Sequence, residues 1–302
     1  MSLINFVSLP EIRHGLEEEF TTPSLKTPDN IRVEPKTKSY GLTGTAFDYL
    51  FRFKLGRLNP AALAKHWVAE IALNHLPEDY DDEGLKAKSK ATGIPVDILK
   101  EMIGLEIKRQ PGSLREKVER LIKEAKQIYD EYIRSGIMND EVILAAVHLA
   151  QIDPIYRAGY LDPNLGQADN LVIQELREII EIVNDDAFIA RDHCLLNPTF
   201  GAASREVGGA DADFIIDGCL VDIKTTKSAK FTRNQFNQLI GYYILHDIGG
   251  IDGDYNLSIT TLGVYYSRYG ELCTFAVEPL IGKGYSSFVN WFRKKMKETY
   301  PQ

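Results

Sequence analysis

Aspartates and a lysine are concentrated in one short stretch of the C-terminal half, which contains Asp211, Asp213, Asp222 and Lys224. Between the second and third of these aspartates stands Asp217-Gly218, a dipeptide that is typical of a two-residue hairpin turn when it lies between two β-rich runs. Such a turn fixes the strand register, and counting back from it places Asp213 opposite Asp222. Asp211 then faces Lys224. Because like charges that face each other destabilise a ladder, the aspartate pair predicts a bound divalent cation.

The chemistry that this pattern favours is metal-assisted attack of water on a phosphate. Mg²⁺ prefers oxygen ligands and is commonly held by one or two carboxylates together with substrate phosphate. Lys224 follows Asp222 by two residues and shares its strand face, so its ammonium is placed to orient or deprotonate the attacking water and to stabilise charge on the phosphate. The alternative is a solvated acidic hairpin end, in which Lys224 is only a local counter-ion.

The two strands of this hairpin have faces of different character, because strand side chains alternate with a period of two. One face carries the aspartates and Lys224 together with Ile215 and Leu220. The other face, which we expect to be core, is small or apolar throughout: Ala212, Phe214, Ile216, Cys219, Val221 and Ile223.

The elements around the hairpin predict an α/β fold with a mixed β-sheet flanked by helices. The patterns indicate a helix over 170–183, strands over 188–196, 213–216 and 219–224, a helix over 232–245, a hairpin formed by 257–267 and 271–277, and a last helix over 285–300. Upstream, residues 1–43 are rich in Pro, Thr and charge and are expected to form an irregular arm. Residues 44–153 have helical periodicity and are expected to form an α-helical region, which leaves 154–302 as the α/β domain.

Three short motifs occur in order within that domain: Gly208-Gly209-Ala210-Asp211, Asp222-Ile223-Lys224 and Gln238-Leu239-Ile240-Gly241-Tyr242. In type and order they resemble the motifs of the PD-(D/E)XK nuclease superfamily, most closely those of its RecB-like branch. The resemblance covers residues 170–277. It implies a restriction-endonuclease-like core and a nuclease that uses Mg²⁺ or Mn²⁺ and acts on DNA.

The resemblance also implies roles for individual residues. Lys224 becomes a catalytic residue, and Asp222 binds the metal together with an aspartate of the first strand. Strict counting of the Gly-x-x-Asp motif favours Asp211 as that aspartate, whereas direct pairing across the hairpin favours Asp213, which we rank first.

A glutamate on the helix over 170–183 is a further candidate ligand. Glu175 lies inside the apolar arc of that helix, where a carboxylate is costly unless it is paired or bound to metal. Superfamily members often add a helix glutamate to the metal shell, which makes Glu175 the first choice and Glu178 the second. The alternative is a glutamate whose carboxylate extends past the arc into solvent.

The helix over 232–245 carries the third motif. Gln238 and Tyr242 fall on a strip beside its apolar stripe, and the resemblance implies that they contact the substrate backbone or support Lys224. The alternative is a polar helix flank, with Tyr242 partly in the core. Further residues expected to contact substrate lie in and just before this helix: Lys227, Lys230, Arg233 and Gln235.

The bulk composition limits the class of protein. The net charge of −8 argues against a general nucleic-acid coat protein, because such binding relies on Lys and Arg, so contact with nucleic acid is expected to be local. Three widely spaced cysteines predict neither a disulfide framework nor a zinc site. With no signal peptide and no membrane-spanning run, a cytoplasmic protein that does not associate with a membrane is expected.

Together these features predict a Mg²⁺-dependent deoxyribonuclease. The alternative is a non-catalytic nucleic-acid-binding or protein-interaction module that retains the nuclease fold. The motifs are compatible with exonuclease and with endonuclease action, and RNA is not excluded as the substrate.

Overall fold

The chain forms two compact units in a computed structural model that describes residues 2–76, 86, 89–99, 114–254 and 256–300. The first, here called the sheet unit, comprises Met1–Glu34, Lys54–Lys65 and Glu181–Gln302. The second, the helical unit, comprises Pro35–Phe53 and His66–Ile180. These units do not follow the division expected at residue 153, because the N-terminal segment belongs with the C-terminal half. Residues 77–85, 87–88 and 100–113 of the predicted helical region lie outside the described residues.

In chain order, the described helices are α1 (Leu3–Val7), α2 (Pro10–Glu19), α3 (Tyr40–Leu58), α4 (Val68–His75), α5 (Leu114–Ser135), α6 (Asp140–Arg157), α7 (Asn170–Glu181), α8 (Gly201–Glu206), α9 (Arg233–Gly249) and α10 (Tyr285–Thr299). The strands are β1 (Leu63–Ala64), β2 (Cys194–Leu196), β3 (Phe214–Ile216), β4 (Cys219–Lys224), β5 (Thr261–Tyr266) and β6 (Glu271–Ala276). Short 3₁₀ turns occupy Asp185–Phe188 and Glu278–Leu280.

The six strands form one sheet in the order β1-β2-β3-β4-β5-β6. The β1/β2 and β4/β5 pairs are parallel, and the β2/β3, β3/β4 and β5/β6 pairs are antiparallel. The predicted α/β class with a mixed sheet flanked by helices is therefore confirmed. In the part of the chain that the structure describes, no helix has both the length and the apolarity to cross a membrane.

The predicted hairpin between β3 and β4 is present, and its turn has the expected chemistry. Asp217 and Gly218 have φ of +46° and +77°, so both central residues are left-handed, as a type I′ turn requires. Ile216 pairs with Cys219, which confirms the register. A Cβ at Gly218 would lie 2.9 Å from the carbonyl oxygen of Ser258, so the position also favours glycine for lack of space.

Both faces of this hairpin are buried. Phe214 and Val221, on the face predicted to be core, are 0% and 1% exposed. Ile215 and Leu220, on the face of the aspartates, are equally buried and belong to the apolar cluster that contains Phe236 of α9. The end of that face that carries the aspartates and Lys224 thus lies at the edge of the apolar core. Burial of charged side chains there is costly in free energy.

Helix α9 is buried around most of its circumference rather than along one stripe. A Cβ at Gly241 would lie 3.2 Å from side-chain atoms of both Leu3 and Val7, so α1 packs against α9 closely. On another side of the helix, Gln238 and Tyr242 are buried as well, Gln238 against Asp222 of β4 and Tyr242 against Phe200. The predicted apolar stripe was too narrow because the helical spacing of Leu3, Phe6 and Val7, which marks α1, was not recognised.

Other predicted elements are confirmed or corrected by the structure. The last helix and the β5/β6 hairpin are confirmed, and in α5 the periodic residues Val118, Leu121 and Ile122 are buried. The irregular arm is wrong for residues 3–19, most of which form α1 and α2. The strand expected over 188–196 is shortened to β2, because the backbone N–H groups of residues 191–193 donate to the carboxylate of Asp217.

Candidate active site

Asp222 is a buried carboxylate on β4, a central strand of the sheet. It is 4% exposed, and its Oδ1 accepts a hydrogen bond from Nε2 of Gln238 over 2.8 Å. Its Oδ2 lies 2.7 Å from Nζ of Lys224 as an ion pair, although no well-aligned hydrogen bond reaches this buried oxygen from the described residues. Burial raises the pKa of Asp222, and the opposing effects of Lys224 and Gln238 are smaller.

Gln238 connects the acidic and basic groups of the site. Besides its bond to Asp222, its Oε1 accepts from Nζ of Lys224 over 3.2 Å, and its Nε2 lies 3.2 Å from the hydroxyl of Tyr242. The Gln238 side chain therefore fixes the carboxylate and the ammonium at once. Gln238 therefore contacts Lys224, whereas its role in supporting Lys224 and its contact with substrate stay predictions.

Asp213 is not part of the β-ladder, so the direct pairing of Asp213 with Asp222 is wrong. The regular ladder ends at Phe214 and Val221. The backbone N–H of Ile223, which would continue the ladder in an antiparallel pair, instead donates to Oδ2 of Asp213 over 2.6 Å. The strand register therefore gives no reason to prefer Asp213 over Asp211 as the metal ligand. The Asp213 carboxylate nevertheless lies beside β4.

Asp211 lies on the segment that precedes β3. Its Oδ2 accepts from Nδ2 of Asn197 over 2.9 Å, and its backbone forms an isolated antiparallel bridge with Thr199. Asp211 is half-buried, and the predicted pairing with Lys224 across the ladder is absent from the regular strands of the described chain.

The hydroxyl of Tyr242 lies within electrostatic reach of all three aspartates. Burial raises the pKa of Tyr242 well above its ordinary value, and the negative charges of Asp222, Asp213 and Asp211 raise it further. The Tyr242 ring stacks on Phe200 with centroids 5.5 Å apart, which fixes its position. Asp222, Asp213 and Asp211 therefore lie within electrostatic reach of one phenol near β4.

These carboxylates suit an oxygen-preferring cation better than a closed structural metal site. Among the described residues, no group of three or more His, Cys, Asp and Glu side chains is arranged to hold a metal ion. Mg²⁺ does not need such a group, because it is commonly bound by one or two carboxylates, waters and substrate phosphate. The buried Oδ2 of Asp222, which is paired with a cation, fits this type of ligand, with Asp211 or Asp213 as the second carboxylate.

Glu175 of α7 is buried within the helical unit, as its place in the apolar arc predicted. It is 1% exposed, so the alternative of a solvent-reaching carboxylate is wrong. Its Oε2 accepts from the backbone N–H groups of Lys36 and Thr37 over 2.7 and 3.3 Å. Glu178 forms an ion pair with Lys36 over 3.0 Å. A metal-binding role for Glu175 stays a prediction.

The residues expected to contact substrate have different environments. Lys230 is exposed, and the equally exposed Lys227 forms a 3.2 Å ion pair with Glu34. Gln235 accepts from the backbone N–H of Thr232 over 2.8 Å and so completes the capping box of α9.

Arg233 holds the chain that follows α2. Its two terminal nitrogens donate to the carbonyl oxygens of Leu16 and Phe20 over 2.6 and 2.8 Å, and one of them also donates to the hydroxyl of Thr22 over 2.9 Å. Its Nε donates to Asn237 over 2.8 Å. Because Arg233 and Gln235 have these structural partners, we do not include them in the proposed site.

Two residues beside the site were missed from the sequence. Asn197 bonds to Asp211, yet only the dipeptide Asn197-Pro198, a turn signal, marks it. Arg268 is fully buried, and its guanidinium approaches the carbonyl oxygens of Thr225 and Val33 at 3.4 and 3.3 Å. The sequence placed Arg268 in an ordinary hairpin turn, and no pattern distinguished it.

Comparisons with protein-family models, with curated proteins and with solved structures find no match to this chain.

Proposed function

We propose that this chain is a metal-dependent nuclease that hydrolyses phosphodiester bonds in DNA, built on a restriction-endonuclease-like core. One observation carries the proposal: the buried Asp222 carboxylate is held between Lys224 and Gln238 at the strand end where Asp211 and Asp213 also lie. Such an arrangement costs stability, because burial disfavours charge, and costly charges are typical of functional sites.

The residues of the site have distinct roles in this proposal. Asp222 and a second aspartate, Asp211 or Asp213, would hold Mg²⁺ or Mn²⁺, which supplies Lewis-acid polarisation of the phosphate and activation of water. Lys224 orients the attacking water and stabilises negative charge that develops on the phosphate oxygens. Gln238 keeps the carboxylate of Asp222 and the ammonium of Lys224 in fixed positions.

DNA is proposed as the substrate because of the resemblance to RecB-like nucleases. Lys227 and Lys230, both exposed and close in sequence to Lys224, are the cations that we propose to contact its backbone. These contacts are local, in keeping with the net charge of −8.

A second candidate is a non-catalytic module that keeps the fold. The observation in its favour is the Lys224–Asp222 ion pair, which balances the buried charge without a metal. The two candidates differ in their response to divalent cations, because a carboxylate that is only a partner of Lys224 gains nothing from Mn²⁺.

The test is incubation of the protein with linear and circular DNA, single- and double-stranded, in the presence of Mg²⁺, Mn²⁺, Ca²⁺ or a chelator. The nuclease predicts product formation with Mg²⁺ or Mn²⁺ and none with chelator, and it predicts that millimolar Mn²⁺ raises the Tm of the wild type but not of Asp222→Ala. Cleavage of circles identifies endonuclease action. If no DNA is cut and Mn²⁺ leaves the Tm unchanged, the non-catalytic module is the better explanation.

A further inference from the structure

Asn197 follows β2 in a backbone conformation that few residues adopt. Its φ is +55°, in the left-handed region that asparagine tolerates better than other side chains with a Cβ, and it is 9% exposed. A buried polar residue at this conformation is unusual, and such positions are concentrated at functional sites.

Asn197 contacts Asp211 and Asp213, the two aspartates that precede β3. Its backbone N–H donates to the carbonyl oxygen of Asp213 over 3.0 Å, and its side-chain Nδ2 donates to Oδ2 of Asp211 over 2.9 Å. The next residues continue the contact, since the carbonyl oxygen of Pro198 accepts from the N–H of Ala212 over 3.0 Å. The segment 197–199 thus holds the backbone of residues 211–213 in place. In addition, the Asn197 side chain is hydrogen-bonded to the carboxylate of Asp211.

We propose that Asn197 is a positioning residue that fixes the Asp211 carboxylate as the first-strand metal ligand. This inference rests on the proposed function. The two aspartates differ in their partners: Asp213 is tied by its Oδ2 to the backbone of β4, in the place of a ladder bond, whereas Asp211 is tied by a side-chain amide. Carboxylates that bind a metal are themselves held by hydrogen bonds, and the loss of such a partner typically lowers metal affinity by about 10- to 100-fold.

Two substitutions separate this role from a purely structural one. Asn197→Gly keeps the left-handed backbone and its N–H bond to Asp213 but removes the bond to Asp211. Asn197→Asp keeps the size of the side chain and its tolerance of positive φ, yet it places a second carboxylate against Asp211. Asp217→Asn is the matched control, because Asp217 is also a left-handed residue with a structural hydrogen-bonding role, at the opposite end of the hairpin.

The experiment is a Mn²⁺ titration of each variant followed by its Tm, together with the Mn²⁺ dependence of cleavage. We expect the half-maximal Mn²⁺ concentration to rise by about 10-fold or more in Asn197→Gly and further in Asn197→Asp, and to be unchanged in Asp217→Asn. Asp211→Asn should give a similar rise, and combining it with Asn197→Gly should add little, because both changes act through one carboxylate.

An unchanged Mn²⁺ midpoint in a folded Asn197→Gly or Asn197→Asp protein overturns the inference, as does full additivity with Asp211→Asn. These results leave the proposed function intact, because the wild type would still bind Mn²⁺ and cut DNA. The proposed function fails in a different way, with no Mn²⁺ response and no cleavage in the wild type, and the inference then falls with it.

Discussion

The side-chain amide of Gln238 donates to Oδ1 of Asp222 over 2.8 Å and accepts from the ammonium of Lys224 over 3.2 Å. The ammonium in turn lies 2.7 Å from Oδ2 of Asp222, so the three side chains form a closed set of contacts. Each member holds the other two in place. The effects of substitutions within this set should therefore be non-additive.

Replacement of Lys224 should reduce both the cleavage rate and the stability. We expect Lys224→Ala to lower the cleavage rate by at least about 100-fold, because a cation that stabilises developing charge acts mainly in the transition state. It should also lower the free energy of unfolding by about 1–3 kcal/mol, because a buried carboxylate loses its counter-ion. Cleavage in Mg²⁺, DNA binding in Ca²⁺ and urea unfolding measure these effects.

A double variant separates the two consequences of losing Lys224. Asp222→Asn combined with Lys224→Ala removes the unpaired charge, so the stability should recover while the activity does not. Wild-type cleavage in Lys224→Ala or Lys224→Gln would contradict the catalytic role. Recovery of cleavage in the double variant would contradict both the catalytic role of Lys224 and the assignment of Asp222 as a metal ligand.

Gln238 and Tyr242 should differ in their effect on metal affinity. Gln238→Ala removes a direct donor to Asp222, and we expect the half-maximal Mn²⁺ concentration to rise by about 10-fold. Tyr242→Phe removes only the 3.2 Å contact with Gln238 and keeps the ring on Phe200, so a change of less than about threefold is expected. Equal effects of the two variants in a Mn²⁺ titration would show that the amide has no special connection to the metal ligand.

Removal of the Asp222 charge should stabilise the fold at neutral and alkaline pH. The folded-state pKa of Asp222 is raised, chiefly by burial, so its ionisation has a cost in stability that grows as the pH rises above the ordinary aspartate value and is complete above the folded-state pKa. Asp222→Asn lacks this cost, while Lys224 keeps its bond to Gln238 and some contact with solvent. We expect a gain of about 1 kcal/mol, or about 2–4 °C in Tm.

The same gain should depend on pH in a defined direction. It should be largest above the folded-state pKa and shrink as the pH falls towards the ordinary aspartate value of about 3.9, because Asp222 itself is then neutral in both folded and unfolded chains. Urea unfolding of both proteins across this range measures the trend. A gain that grows as the pH falls would contradict a raised pKa.

We expect Arg233 to stabilise the fold rather than to contact substrate. Arg233→Ala leaves the carbonyl oxygens of Leu16 and Phe20 without their charged donor, and we expect a loss of about 2–3 kcal/mol of stability. The remaining folded protein should bind DNA in Ca²⁺ as the wild type does. Lys230→Ala is the matched control, with a stability change within about 0.5 kcal/mol and weaker DNA binding. If Arg233→Ala weakened DNA binding without a loss of stability, Arg233 would instead be assigned to the substrate-binding surface.

The parts of the fold that were predictable depend on local sequence. The Asp217-Gly218 turn sets the register of β3 and β4 by itself, because both of its residues accept positive φ. The periodicity of α5 and of the final helix likewise follows from neighbouring residues. Such local signals, together with the order of the three motifs, suffice to predict that Asp222, Lys224 and Gln238 share one site.

The remaining parts depend on contacts between distant residues. Asp213 leaves the ladder because its carboxylate accepts a hydrogen bond from the N–H of Ile223. The backbone of residues 212–213 instead forms hydrogen bonds with residues 197–198. The helices α1 and α2 bury α9 through contacts such as that of Arg233 with Leu16, which are 217 residues apart. Apolar spacing in the sequence marks the helices α1 and α2 themselves, but it does not indicate the distant segment against which they pack.

The most direct test of the central claim compares DNA cleavage by the wild type, Asp222→Asn and Asp217→Asn in Mg²⁺ and in chelator. The two variants change one aspartate each, at opposite ends of the same hairpin, and the Tm of each confirms folding. We expect Mg²⁺-dependent cleavage by the wild type and Asp217→Asn, and a loss of at least about 1,000-fold in the folded Asp222→Asn protein. Cleavage by Asp222→Asn at the wild-type rate, or cleavage by the wild type in chelator, would contradict the assignment of Asp222 as a metal ligand of a nuclease.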